Sequence, residues 1–402
     1  MANVLGIIFF ALGIGVTVAL HEAGHMLTAR AFGMRVRRYF IGFGPRVFSF
    51  RRGHTEYGLA AIPVGGYCDI AGMSAQDEFL TPEEEPYAMY KKPAWQRIVV
   101  MFGGVAVNLF LGFLILFIIA VSSGLPNPHA DVRPRVGEVT CSADQNQAGE
   151  LGSCTGQGPA GQAGVEPGDI VLALDGQPID SFTQLRDEVM MRPGQDVTLS
   201  VERQGAERDI PVHLDTVKRL DAQGNLVDAG SIGLSSQVID IVEKHGFVSA
   251  FPATWDYSVY VVDATVKGIA QFPSKIPGIV ASIFGQERDI NGPMSVVGAS
   301  RVGGELVERN LWTAFFMMLA TLNFFLALFN LIPLPPFDGG HIAVVIYEKI
   351  RDFIRRLVKK PALGPANYTR LMPVTYAMAA LLMTVGVIII IADVVNPIRL
   401  FG

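Results

Sequence analysis

Residues 1–25 read MANVLGIIFFALGIGVTVALHEAGH: an uncharged apolar run, 1–20, leads directly into His21-Glu22-Ala23-Gly24-His25. The run supplies the ~20 apolar residues that a membrane-crossing helix needs. It has no basic leader, is too long for a secretory signal and carries no small-residue cleavage pattern, so it reads as a retained helix. H-E-x-x-H on a helix puts two imidazoles on one face, spaced to hold one zinc ion, with a glutamate beside them that can activate water. At about 1.5 Å rise per residue, His21 lies about 30 Å from Ala2, inside the bilayer toward its far side. Ionisable groups at that depth are costly unless they bind a metal or line a polar cavity. The alternative, a pair of satisfied core histidines, does not account for the depth.

Three further largely apolar runs follow, at 98–133, 311–337 and 371–392. One such run could be a buried core helix; four predict membrane spans. Across all 402 residues, 50% are hydrophobic and 17% charged, against about 25% charged in soluble domains; the mean hydropathy is +0.36. The fold class expected is a mainly α polytopic membrane protein with four transmembrane helices. A net charge of −5 lacks the basic stripe that nucleic-acid binding needs. Three cysteines, Cys68, Cys141 and Cys154, are too few for a disulfide scaffold or a Cys-rich zinc module.

Basic residues set the orientation. Arg30, Arg35, Arg37, Arg38, Arg46, Lys91 and Arg97 fall between the first two runs; Lys349, Arg351, Arg355, Arg356, Lys359 and Lys360 fall between the last two. Both connections are expected in the cytoplasm, with the N-terminus, the central region and the C-terminus outside.

The expected division is 1–33, first transmembrane helix; 34–97, membrane-associated β-hairpins and an interfacial helix at 87–97 bearing Trp95; 98–128, second transmembrane helix; and 129–238, an extracytoplasmic α+β domain. Then come 239–304, an amphipathic segment and a loop; 305–341, third transmembrane helix; and 342–402, a cytoplasmic basic loop and the fourth. Alternating residues with Gly42, Gly44, Gly65 and Gly66 predict the hairpins, and residues 74–86 an acidic surface loop. Within the α+β domain, IVLALDG, VTLSVER and DIPVHL read as strands and 182–191 as a helix. Residues 247–284 read as an amphipathic helix lying on the outer membrane surface or packed as an ordinary helix, and 291–304 as a Gly-rich loop.

Catalytic zinc takes three protein ligands and leaves one position open. The third is expected from Asp338, in Asn330-Leu331-Ile332-Pro333-Leu334-Pro335-Pro336-Phe337-Asp338-Gly339-Gly340. The prolines break the helix at membrane depth, which is tolerated where backbone is buried or lines a water cavity. Gly339 and Gly340 allow a close backbone approach to the metal. His341 is a rival ligand. Asn323 and Asn330 share a face of the third span; either could clamp helices, while Asn330, nearer Asp338, is the favoured donor to a developing oxyanion. The site set is therefore metal ligands His21, His25 and Asp338, with Glu22 and Asn330 as catalytic residues. Iron or cobalt would suit similar ligands.

The His21–His25 motif, the turn Gly42-Phe43-Gly44-Pro45, Pro63-Val64-Gly65-Gly66-Tyr67 and Asn330-x-x-Pro-x-Pro-x-x-Asp338-Gly-Gly together strongly resemble the site-2 protease family, over nearly the whole chain. The stretch from Ala160 through Gly164, Val165, Pro167 and Gly168 to Ile170 resembles a PDZ core, and Asn291-Gly292-Pro293-Met294-Ser295 resembles the family's Gly-Pro-x-Ser segment. The resemblance implies an intramembrane zinc metalloprotease of the bacterial inner membrane, of the single-PDZ type. Its implied partners, besides the lipid bilayer, are single-span transmembrane substrates such as trimmed anti-sigma factors and an upstream site-1 protease acting on the same substrates. The PDZ-like unit departs from the pattern by an insertion at 140–157, whose Cys141 and Cys154 either bridge in an oxidising exterior or remain buried thiols.

A transmembrane substrate hides its carbonyls in its own helix, so a strand within residues 36–67 is expected to capture the unwound chain by edge pairing. The rival readings are a non-catalytic PDZ scaffold, with no need for zinc or Glu22, and a metal transporter, which would want polar groups along several helices.

Overall fold

The computed structural model describes residues 2–131, 133–147, 149–221, 225–237, 241–289, 292–398 and 400, excepting the side chains of Pro63 and Val64. Met1 and Asn291, which open the first apolar run and the Gly-Pro segment, and Val238, which closes the expected central domain, lie outside them. The chain forms two units, 1–128 with 243–402, and 129–242.

Helix α1, Ala2–Ala31, carries the H-E-x-x-H motif. It ends where Gly33 takes φ +66° and the Gly33 and Met34 amides return to Arg30 and Ala29 carbonyls, a left-handed stop that glycine makes cheaply. Strands β1, Val36–Arg52, and β2, Thr55–Ile70, are antiparallel. Each bends midway, so that residues 38–41 are flanked by 66–69 on one side and 56–59 on the other, while 46–52 pair with 55–60. Gly42, at φ +89°, permits the bend, and a side chain there would strike the Ala60 and Ile62 carbonyls. The Tyr39 hydroxyl donates to the Ala19 carbonyl at 2.5 Å, tying this sheet to α1. Arg37 pairs with Asp77 and Glu84, pinning the acidic loop.

Residues 87–97 do not form the expected interfacial helix. Two 3₁₀ turns, Glu85–Tyr87 and Met89–Lys91, come first, and Lys92 is extended ahead of Pro93, as the residue before proline prefers. Helix α2, Ala94–Ser122, then starts and carries Trp95 itself. A short strand β3, Leu125–Pro126, follows.

The second unit holds β4 (Val136–Val139), α3 (Pro159–Gln162), β5 (Ile170–Leu174), β6 (Gln177–Pro178), α4 (Phe182–Met190), β7 (Asp196–Arg203), β8 (Ala206–His213), β9 (Asp215–Leu220), β10 (Leu226–Ser231), β11 (Leu234–Ser236) and the start of β12 (Val242–Glu243). Its main sheet is antiparallel in the order β6-β5-β7-β8. Ser181 caps α4 by accepting from Gln184 N–H, and Leu185 and Val189 sink into a core with Val171, Leu199 and Val201. Cys141 and Cys154 are disulfide-bonded, so the bridged alternative holds.

The first unit resumes with α5, Ala250–Ile283. Where a Gly-rich loop was expected at 291–304, α6 runs Val296–Glu308, capped by Ser295. Its glycines are contact points, not breaks: a methyl on Gly303 would strike Phe10, and one on Gly304 would strike Asn3, both in α1. Helix α7, Trp312–Asn330, ends before the prolines. The basic stretch after them is not a loop throughout; α8 runs Asp338–Leu357, and α9, Met372–Val395, follows. Helices α1, α2, α7 and α9 are long and apolar enough to cross a membrane.

Candidate metal centre and active site

Three elements supply the centre. On α1, His21 and His25 stand one turn apart, 8% and 6% exposed. On α8, Asp338 is the first residue of the helix, reached because the turns at 331–337 redirect the chain after α7. Gly339 and Gly340 allow this redirection, but the backbone they approach belongs to Leu331, Ile332 and Leu334.

The Nε2 atoms of His21 and His25 lie 3.2 Å apart, and Oδ2 of Asp338 lies 3.4 and 3.3 Å from them. Zinc with four bonds of about 2.0–2.1 Å needs ligand atoms about 3.4 Å apart along each tetrahedral edge. Three buried donors thus already stand at that spacing, and Oδ2 of Asp338 has no hydrogen-bond partner. This donor set fits zinc. Among the described residues, these three form the cluster able to hold a metal; His341 lies outside it, its ring stacked on Tyr368 at 5.7 Å.

Glu22 sits beside the cluster. Its carboxylate lies beside the Cys68 amide of β2, and a methyl on Gly66 would come within 3.1 Å of its Cγ. Among the described residues, the segment 66–70 pairs with β1 alone, so it is a sheet edge, and at Gly66 it comes close to Glu22. Asn330 closes α7, half-buried, and among the described residues its side chain makes no hydrogen bond. Asn323 is wholly buried and donates to Thr17 Oγ1 at 3.3 Å and Leu319 O at 2.9 Å, an interhelical clamp from α7 to α1.

Two contributions from α2 were not read from the sequence. Nδ1 of His25 lies 2.8 Å from the Val100 carbonyl oxygen. Gly104 faces both imidazoles so closely that any side chain would overlap them, and Gly24 and Gly103 bring the α1 and α2 backbones together. The one available signal was the glycine pair inside an apolar run.

The profile of Peptidase family M50 matches residues 9–368. The chain is 43% identical to the "Zinc metalloprotease Rip1" of Mycobacterium tuberculosis over 406 residues, covering 100% of both chains. It is 44% identical to the protein of that name from Mycolicibacterium smegmatis, covering 99% of each. With the "Metalloprotease MmpA" of Caulobacter vibrioides the identity is 29%, over 84% of this chain and 85% of the relative. A solved PDZ domain of an SdrC-like protein from Listeria monocytogenes is 16% identical, covers 27% of this chain and 90% of its own, and has a TM-score of 0.19, too low to carry an argument.

Proposed function

This chain belongs to Peptidase family M50, the site-2 proteases, and on that premise we propose which of its residues carry out the hydrolysis. It is a multi-pass, membrane-embedded zinc metalloendopeptidase acting on membrane proteins. The scaffold and transporter readings therefore fall away.

His21, His25 and Asp338 hold the zinc, a reading carried by the mutual 3.2–3.4 Å spacing of their buried donor atoms. Zinc, when bound, supplies Lewis acidity to the scissile carbonyl and to the attacking water. Glu22, beside the two imidazoles and against the 66–70 segment, takes a proton from that water and passes it to the leaving amine. Asn330 donates from Nδ2 to the developing oxyanion. The Val100 carbonyl receives His25 Nδ1–H, leaving Nε2 unprotonated toward the metal.

The substrate is a single-span membrane protein, unwound locally and paired along the 66–70 edge, which brings its backbone to Glu22. Unit 129–242 is an extracytoplasmic PDZ-like domain that excludes bulky ectodomains, so an upstream site-1 protease must trim the substrate first; anti-sigma factors are of this kind. The outside placement of that unit and of the N-terminus, with the active site toward the cytoplasm of a bacterial inner membrane, is supported by the basic connections. It is supported further by the Cys141–Cys154 bridge, which persists in an oxidising compartment.

The test is incubation of purified protein with a panel of single-span substrates, comparing wild type, Glu22→Gln and chelated protein. Cleavage by wild type alone is expected, with zinc content kept in Glu22→Gln. Full cleavage by that variant rejects the mechanism. Deleting residues 136–237 is expected to admit untrimmed substrates; an unchanged need for trimming rejects the filter.

A further inference from the structure

Helix α8 is not among the described helices apolar enough to cross a membrane, yet one of its faces is apolar and bare. Ile346, Tyr347, Ile350, Phe353, Ile354 and Leu357 are 45–68% exposed and recur at helical spacing along one stripe. The opposite face belongs to the protein: Val345 is buried, and Glu348 is ion-paired with Arg97 of α2 at 2.6 Å.

The charges on α8 are sorted as well. Both of its acids after Asp338 are engaged, Glu348 with Arg97 and Asp352 with Arg351. Arg351 and Arg355 also donate to the Gly364 and Pro361 carbonyls, which pins the returning loop. Lys349 and Arg356, seven residues apart, lie along one rim of the apolar stripe, and Lys359 and Lys360 follow the helix end. These four cations have no ion-pair partner among the described residues.

An exposed apolar stripe with a rim of unneutralised cations, on a helix between two membrane-crossing helices, matches a helix that lies in the plane of an anionic lipid surface. We propose that α8 docks on the anionic lipid surface of the cytoplasmic leaflet, apolar stripe down and Lys349, Arg356, Lys359 and Lys360 on the headgroup phosphates. Because Asp338 is the first residue of α8, the docked helix anchors that carboxylate from the membrane side. The inference rests on the topology given above, but its test does not depend on proteolysis.

The full chain, in a Cys68→Ser background, is spin-labelled singly at Ile350→Cys, Phe353→Cys, Leu357→Cys, Lys349→Cys and Arg356→Cys. It is placed in nanodiscs of phosphatidylcholine alone or with phosphatidylglycerol, and collision with oxygen is compared with collision with an aqueous nickel chelate. Labels at 350, 353 and 357 should favour oxygen and those at 349 and 356 nickel, with the apolar positions shifting deeper when phosphatidylglycerol is present. Replacing Lys349, Arg356, Lys359 and Lys360 by Gln should abolish that shift; each cation near the surface is worth about five-fold in partition. Nickel access at every position overturns the proposal. So does a depth indifferent to phosphatidylglycerol, and so does spin–spin broadening that reports a second copy on this face.

Discussion

Nδ1 of His25 lies 2.8 Å from the carbonyl oxygen of Val100, 75 residues further along the chain. A hydrogen bond on one ring nitrogen settles which tautomer the other presents, so in the proposed zinc site α2 would orient this imidazole without supplying a ligand. The same helix places Gly104 against both rings.

Gly104→Ala should therefore displace the imidazoles. Groups that orient ligands typically govern metal affinity by about 10–100-fold, and a loss of that size is expected in zinc titrations of the purified variant, with cleavage falling alongside. Zinc affinity equal to wild type would show that the rings have room to move.

Arg97 and Glu348 form an ion pair whose side chains are 5% and 6% exposed, and Glu348 also accepts the Ala366 N–H. The pair joins α2 to α8. Removing one partner of a buried pair costs about 3–5 kcal/mol, whereas replacing both with apolar residues is often near neutral. Glu348→Ala should lower the unfolding temperature in detergent markedly, and Arg97→Met/Glu348→Met should recover most of the loss. A single variant as stable as wild type would contradict a structural role for the pair.

In the second unit, burial works to raise the Asp169 carboxyl pKa. The Arg203 guanidinium and the Glu166 N–H outweigh it and hold the group below the ordinary carboxylate range. A depressed folded pKa gives stability that is present above the unfolded value, about 3.9, and lost as pH falls through the folded one. Proteolytic resistance of residues 129–242 should thus be level near neutrality and fall below about pH 4. Arg203→Gln should be weaker at pH 7, with its gap to wild type narrowing in acid. A gap independent of pH would assign the loss to packing.

The spans and the His21–His25 pair were legible because both depend on local spacing, apolar length in one case and one helical turn in the other. Asp338 was legible because the prolines before it forbid helix. What was missed depends on distant partners. Gly303 and Gly304 read as loop signals, yet they are helical and meet α1. The charges of α8 read as a loop because its buried acid finds Arg97 only 251 residues away. Pro93 displaced the expected interfacial helix by restricting Lys92, a local rule that the aromatic pattern around Trp95 obscured.

The joining of His21, His25 and Asp338 around one ion is tested most directly by X-ray absorption at the zinc edge of the purified chain, with zinc stoichiometry measured alongside. Two imidazole nitrogens and light oxygen ligands at about 2.0–2.2 Å are expected, and Asp338→Ala should lose most of its zinc and its cleavage. An Asp338→Ala protein with an unchanged spectrum and undiminished cleavage would contradict the account.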